Sequence, residues 1–226
     1  MNRLFSTFRA GRMSLPLLAL TLAISVGFSL GYSAALGRNQ DKTSSSNRAV
    51  SDKVWLTIDQ VRDRFPMAKH EEFMRRAIAN SRMAGVEKRT GGAFGAVIVD
   101  RDGNIVADGS NQVVANNDPT WHGEMNAIRV ACAKLKTLKL DGCILYTSSE
   151  PCPMCLATAY WSGVDGLCYG AFMTDSKKYG GFDDAFISEE FAKPIATRKI
   201  PEIQLLRNEA VEVWKEYASL PGNVPY

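Results

Sequence analysis

Two short stretches hold the residues whose types and spacing could do chemistry: His122-Gly123-Glu124 and, beginning 28 residues after the histidine, Glu150-Pro151-Cys152-Pro153-Met154-Cys155. One imidazole and two thiolates fill three positions of a tetrahedral Zn²⁺ and leave the fourth open for water, as a catalytic zinc site requires. A closed structural site would need a fourth ligand, and the spare His70, Cys132, Cys143 and Cys168 show neither C-x-x-C nor H-x-x-x-H spacing. A redox dithiol would need no metal, and it would leave the H-x-E and the prolines on both sides of Cys152 as coincidences. Two thiolates also cancel the charge of the metal. Glu124, two residues beyond a ligand, can reach the activated water without being a ligand itself. Its carboxylate can take a proton from that water and return it to a substrate, acting first as general base and then as general acid.

Such residues need rigid elements behind them. Both motifs fall where the apolar pattern starts a helix, at residues 122–135 and 152–161, the second opened by Pro151 and Pro153. Helix N-termini behind the ligands add positive partial charge, which favours thiolates and a developing oxyanion. Ahead of the first helix, residues 94–100 (FGAVIVD) read as a strand, Asp102-Gly103-Asn104 as a hairpin turn and residues 105–114 as the returning strand, followed by a turn-rich loop at 116–119. Strands at 144–147 and 166–169 flank the second helix. Helices at 70–84, 183–192 and 207–218 are predicted as well. A short amphipathic helix at 57–65 carries Ile58, Val61 and Phe65 in register with Trp55; Pro66 stops it, and its apolar stripe is expected to pack on the following domain. There is no internal repeat, and the alternation of helices and strands predicts an α/β layered domain.

At these motifs the chain resembles the zinc-dependent nucleobase deaminases, whose signature is H-x-E…P-C-x-x-C. Within that superfamily it is most similar to the guanine deaminases, through GGAFGAVIVD, GSN, NNDPTWHGE, AIR, CILYTSSEPCPMC, YW and GFDDAFI. The resemblance implies a three-layer α/β/α cytidine deaminase-like fold with helices on both faces of the sheet. It implies hydrolytic deamination of a free purine base, guanine to xanthine plus ammonia, with one Zn²⁺ per chain on His122, Cys152 and Cys155. Glu124 would carry the proton to a ring nitrogen and then to the departing amine, with Asp184 as a second acid. Phe94 and Trp161 would line the base pocket and Asn111 would hydrogen-bond the purine. A homodimer with exchanged C-terminal segments would bring Tyr226 over the partner's site. Without the resemblance, Phe94 and Trp161 read as core aromatics, Asp183 and Asp184 as helix N-cap acids, Asn111 as a turn residue and Tyr226 as a frayed end. Trp121 and Gly123 stand where a small residue and Ala are common in the family, and they are expected to change the pocket; Ser149 replaces a frequent Cys that is not a ligand.

The 226 residues are 46% hydrophobic and 23% charged, which excludes a disordered tail, a collagen-like chain or a multi-pass membrane protein. The net charge of +3 is unevenly spread: residues 1–36 hold three Arg and no acid, residues 37–69 seven basic and four acidic residues, and residues 70–226 17 basic and 20 acidic. The slightly acidic catalytic part offers no basic surface for a phosphate backbone. This counts against nucleic acid as partner and against the alternative of a tRNA adenosine deaminase, while cytosine or a pterin are alternative bases. A non-catalytic, membrane-tethered binding module is the alternative of another class, and Glu124 speaks against it.

Residues 15–36 (LPLLALTLAISVGFSLGYSAAL) carry no charge and follow Arg3, Arg9 and Arg12. As a helix they would cross a hydrocarbon core of about 30 Å. Residues 1–36 are therefore expected to be a signal peptide or signal anchor, residues 37–56 a tether, and residues 57–226 a zinc deaminase domain with an N-terminal helical extension. The expected location is membrane-anchored or exported, with the domain on the extracytoplasmic (periplasmic) side. There Cys152 and Cys155 could oxidise, so the metal has to be bound before or during folding. Cys132, Cys143 and Cys168, odd in number, read as thiols rather than as a disulfide framework.

Overall fold

Apolar runs separated by turn residues build a sheet of four strands, β1 (Gly95–Val99), β2 (Ile105–Ser110), β3 (Ile144–Ser149) and β4 (Gly166–Ala171), in the order β2-β1-β3-β4. The computed structural model describes residues 50–223. The expected membrane or export helix, most of the expected tether and Tyr226 lie outside the described residues. The helices are α1 (Ile58–Arg62), α2 (Met67–Arg82), α3 (Val113–Asn116), α4 (Gly123–Leu135), α5 (Pro153–Ser162), α6 (Met173–Gly180), α7 (Asp184–Ala192) and α8 (Arg207–Ser219).

β1 runs antiparallel to both β2 and β3, and β3 runs parallel to β4, joined to it across α5. The β1–β2 hairpin is closed by Asp100, whose Oδ1 accepts from Asp102 N (3.0 Å) and Asn104 N (2.8 Å), with Gly103 in the left-handed region at φ +81°. Side chains alternate across the strands and divide the core in two. Ala96, Ile98 and Leu145 face Ala127, Ile128 and Ala131 of α4 and Ala159 of α5. Val97, Val99, Ile144 and Tyr146 face Phe73 and Ala77 of α2. The result is a three-layer α/β/α arrangement with a mixed sheet. Covered on both faces, β1 is apolar throughout and fully buried.

Gly95 lets α2 lie directly on β1, since a Cβ there would stand 2.3 Å from Ser81 N. Asn80 then bonds Ala96 O (3.1 Å) and Asp108 Oδ1 (2.8 Å), and Arg76 grips the same Asp108 carboxylate at 2.8 and 3.0 Å. Ahead of α1, the Lys53 ammonium donates to Gly163 O, Asp141 Oδ1 (2.7 Å) and Asp165 Oδ1 (3.0 Å). Thr57 and Gln60 cap α1 reciprocally. Trp55 meets Tyr160 edge-on at 5.1 Å, Val61 and Phe65 join the α2-side core, and Ile58 stays exposed. Packing on the domain therefore already includes Lys53.

Three elements differ from the sequence pattern. β2 ends at Ser110 rather than near 114, because Asn111 Oδ1 accepts from Val113 N (3.1 Å) and turns the chain into α3. α2 starts at Met67 and runs on into a π turn, Met83–Glu87, closed by Lys88 N to Met83 O at 2.8 Å. α6 is not foreshadowed, since MTDSKKYG buries no residue and carries no apolar stripe. Among the described residues no helix is long and apolar enough to cross a membrane.

Candidate active site

His122 and Cys152 hold equivalent places. Each is the N-cap of a helix, α4 and α5, in extended backbone (φ −70°, ψ 160° and φ −64°, ψ 165°), and neither side chain caps its helix. Side chains at this position ordinarily turn back to first-turn amides. Here they converge on each other, and Cys155, one turn into α5, joins them. His122 Nδ1 lies 3.5 Å from Cys152 Sγ and 3.5 Å from Cys155 Sγ, with the three ligand atoms within 4.8 Å of one another. Tetrahedral bonds of about 2.0 Å to nitrogen and 2.3 Å to sulfur set an N···S separation of about 3.5 Å. The donor set therefore fits zinc without rearrangement.

The electrostatics favour a metal-binding thiolate. The Cys152 thiol is lowered to about 4, first by the hydrogen bond from Cys155 and further by the one from His122. Cys155, the donor of that bond, is raised, and His122 is raised by its bond to Cys152. Two helix N-termini point their partial positive charge at the same spot. The other cysteines are separate free thiols, with burial raising Cys143 and Cys168 to about 11.

Glu124, in the first turn of α4, is buried beside this cluster. Its Oε1 accepts from Thr147 Oγ1 at 3.1 Å, whereas its Oε2 is buried with no partner. Burial raises its pKa. A carboxylate with one oxygen anchored and the other unpaired is oriented for proton exchange with a molecule entering the site. Phe94 presents its ring parallel to the His122 imidazole (4°, centroids 6.3 Å apart) and meets Phe182 edge-on at 4.9 Å. Asn111, only 2% exposed, is tied down by its N–H to Phe94 O (3.0 Å), its carbonyl to Thr90 Oγ1 (2.8 Å) and its Oδ1 to Val113 N (3.1 Å). Nδ2 is then the group it can offer a ligand. Asp184 opens α7, and its carboxyl is raised first by burial and then by the charge of Cys152.

Residues 67–171 match the family model for the cytidine and deoxycytidylate deaminase zinc-binding region. Guanine deaminase of Bacillus subtilis is 46% identical over 153 residues, covering 66% of this chain and 96% of that protein. Its X-ray structure aligns at a TM-score of 0.62 and 44% identity, over 69% of this chain and 99% of that one. The chain belongs to the zinc-dependent cytidine and deoxycytidylate deaminase family. A tRNA-specific adenosine deaminase of Aquifex aeolicus is 40% identical over 92 residues, 41% of this chain and 58% of that protein.

The deaminase is thus a zinc-dependent hydrolytic enzyme, and the structure brings His122, Cys152 and Cys155 together, with Glu124 beside them, the Phe94 ring parallel to His122 and Asn111 bonded to the Phe94 backbone. Trp161 sits nine residues along α5 from Cys152, about 13 Å of helix rise, and is 54% exposed. Trp121 precedes His122, and its indole Nε1 is buried with no partner. Its ring carries the Arg129 guanidinium at 5.0 Å. Gly123 allows α4 to approach β1, since a Cβ would lie 3.0 Å from both Gly95 Cα and Phe94 O. Sequence reasoning missed Thr147, although a polar residue in the apolar β3 was a usable signal, and it missed Phe182 beside the GFDD acids. It also missed Gly91 and Gly92, where a Cβ would strike Asn111 and the Phe94–Phe182 pair.

Proposed function

We propose that the protein deaminates a free purine base, guanine to xanthine with release of ammonia. The observation that carries this reading is the parallel pair of Phe94 and His122 rings beside the unpaired Oε2 of Glu124. The two rings lie parallel with centroids 6.3 Å apart and offer flat faces on which a planar base can stack. Asn111 Nδ2 gives the base an in-plane donor. The similar Bacillus subtilis protein is named guanine deaminase, which supports guanine over other bases.

His122, Cys152 and Cys155 would hold the metal; zinc, when bound, supplies the Lewis acidity that makes water a nucleophile at neutral pH. Glu124 accepts the proton released by the water and delivers it to a purine ring nitrogen as oxygen adds to the carbon bearing the amine. It then takes the remaining proton of the added hydroxyl and passes it to the departing nitrogen as the C–N bond breaks, so that water plus guanine gives xanthine plus ammonia. Burial raises both carboxyls, Glu124 and Asp184, and so favours their protonated forms more than water would. Thr147 fixes the Glu124 carboxylate so that the same oxygen takes and returns the proton.

The proposal includes a homodimer with exchanged C-terminal arms. Ile200, Ile203, Leu205, Leu206 and Trp214 are 70–81% exposed, and α8 buries no residue, so an apolar arm is left for a partner to cover. Tyr226 and Trp161 would complete the pocket in that assembly. Residues 1–36 remain the proposed membrane or export segment, with the domain on the extracytoplasmic side, supported by the uncharged run at 15–36.

Ammonia release from free bases by zinc-loaded protein tests the activity. Guanine is expected to turn over, and Glu124→Gln is expected to lower the rate by about 10²- to 10⁴-fold while one zinc per chain is retained. No ammonia from guanine, or equal rates in wild type and Glu124→Gln, would refute the proposal.

A further inference from the structure

Glu150 has no part in the chemistry above, yet it joins two parts of the site. It follows β3 directly and stands two residues before Cys152. Its N–H donates to Ala171 O at 2.8 Å, adding a rung to the β3–β4 pairing, and its Oε2 accepts from Met173 N at 3.0 Å. Met173 is the first residue of α6, whose N-cap, Phe172, has no side-chain acceptor. First-turn amides lack intrahelical partners. Asp175 satisfies the Phe172 N–H at 2.9 Å, and the Met173 N–H is satisfied from the metal-ligand loop by Glu150.

The other end of α6 carries a wall of the pocket. Gly181 N to Lys177 O (3.1 Å) and Phe182 N to Ser176 O (3.4 Å) close the helix, with Gly181 at φ +76°. The Phe182 ring folds back over Gly180, where a Cβ would come within 2.7 Å of it, and meets Phe94 at 4.9 Å. Lys177 holds Asp183 at 2.9 Å, and Asp184 follows as the first residue of α7. An eight-residue helix is a rod of about 12 Å. Where its N-terminus is pinned decides where Phe182 and Asp184 stand.

We propose that Glu150 is a positioning residue that, through α6, holds Phe182 and Asp184 in register with the metal-ligand loop. Only the kinetic part of its test rests on the deamination proposed above. Met173→Pro removes the same hydrogen bond from the other side: proline at the first helical position keeps the helical φ and lacks only the N–H. The extended backbone of Phe172 (φ −79°, ψ 159°) accepts a following proline.

Wild type, Glu150→Ala, Glu150→Gln, Met173→Pro and the Glu150→Ala/Met173→Pro double variant are compared as zinc-loaded full chains. The readouts are kcat and KM on guanine, bound zinc, and amide hydrogen exchange over residues 173–184. Glu150→Ala and Met173→Pro are each expected to lower kcat/KM about fivefold, the worth of one lost cap, chiefly through KM. Each should speed exchange at Gly181 and Phe182 and keep one zinc per chain. The double variant should be no worse than either single, because both remove one interaction. Glu150→Gln, which keeps an acceptor oxygen, should stay within twofold of wild type. Unchanged exchange and KM in Glu150→Ala, additive losses in the double variant, a Glu150→Gln as slow as Glu150→Ala, or loss of zinc would each overturn the proposal. If the wild type were inactive on guanine, the proposed function would fail while the exchange comparison still decided the role of Glu150.

Discussion

Replacing Gly91 by Ala adds one carbon where Asn111 already stands. A Cβ on Gly91 would lie 1.9 Å from Asn111 Oδ1, 2.8 Å from its Cγ and 3.2 Å from Val113 N. Non-bonded contact needs about 3.5 Å, so the Asn111 amide has to retreat by more than about 1 Å. It cannot do so freely, because the side chain is buried and its Oδ1 is bonded to Val113 N. Retreat breaks that bond, a net loss of about 1 kcal/mol, and carries Nδ2 away from the base. A lost hydrogen bond alone is worth about fivefold, whereas displacing a positioning group by about 1 Å costs on the order of 10²-fold. Gly91→Ala should therefore lower kcat/KM on guanine by roughly 10- to 100-fold. Zinc content should be unchanged, since His122, Cys152 and Cys155 are not touched. Steady-state ammonia release with parallel zinc analysis measures both. The decisive control is Asn111→Ala, which removes the two closest atoms. In that background Gly91→Ala should cost less than about twofold, the expected signature of one shared contact. A near-wild-type Gly91→Ala, or a further tenfold loss in the Asn111→Ala background, would refute the reasoning.

Asp108 is held below the usual carboxylate range, first by the hydrogen bond from Arg76. A depressed carboxyl contributes its stability above the unfolded value of about 3.9 and loses it as pH falls through the folded value. The urea midpoint should therefore drop from about pH 4 downward more steeply in wild type than in Asp108→Asn, and parallel acid limbs would count against this. The Lys53 side chain is 8% exposed and serves two carboxylates and a carbonyl. Lys53→Ala should cost about 3–5 kcal/mol, read as a lower thermal midpoint. Its kcat should not change, because Lys53 is bound at the start of β3 and β4 and the Cys152 loop leaves their far end; a stable variant with impaired kcat would contradict this assignment.

The metal ligands are legible in sequence because they occupy two local motifs, each at the start of a helix that the apolar pattern also predicts. The strands are legible because β1 and the first half of β3, buried on both faces, read as continuous apolar runs. What supports the site is not local. Thr147 reaches Glu124 from β3, Gly91 makes room for Asn111 across a hairpin, and Phe182 reaches Phe94 from beyond α6. None of these pairs has a sequence period. α6 itself escapes the pattern because it fully buries none of its residues and so needs no apolar stripe. The contact of Trp121 with Arg129 is likewise one that no local pattern announces.

The departures from local preference concentrate at the chemistry. His122 and Cys152 stand at N-caps, where Ser, Thr, Asp or Asn would each contribute about 1 kcal/mol, and neither makes a cap bond. Glu124 leaves a buried oxygen without a partner, which costs a further 1–3 kcal/mol or so. Against a stability of about 5–15 kcal/mol for a whole domain, a local deficit of about 3–5 kcal/mol is large. It is also smaller than the binding free energy of structural zinc sites, about 10–16 kcal/mol, so a bound metal can outweigh it. The uncapped amides keep their partial charge aimed at the thiolates, and the unpaired oxygen stays free to exchange a proton. The same two features that weaken the helix starts therefore make them reactive, and both would be lost if the positions were optimised for folding alone.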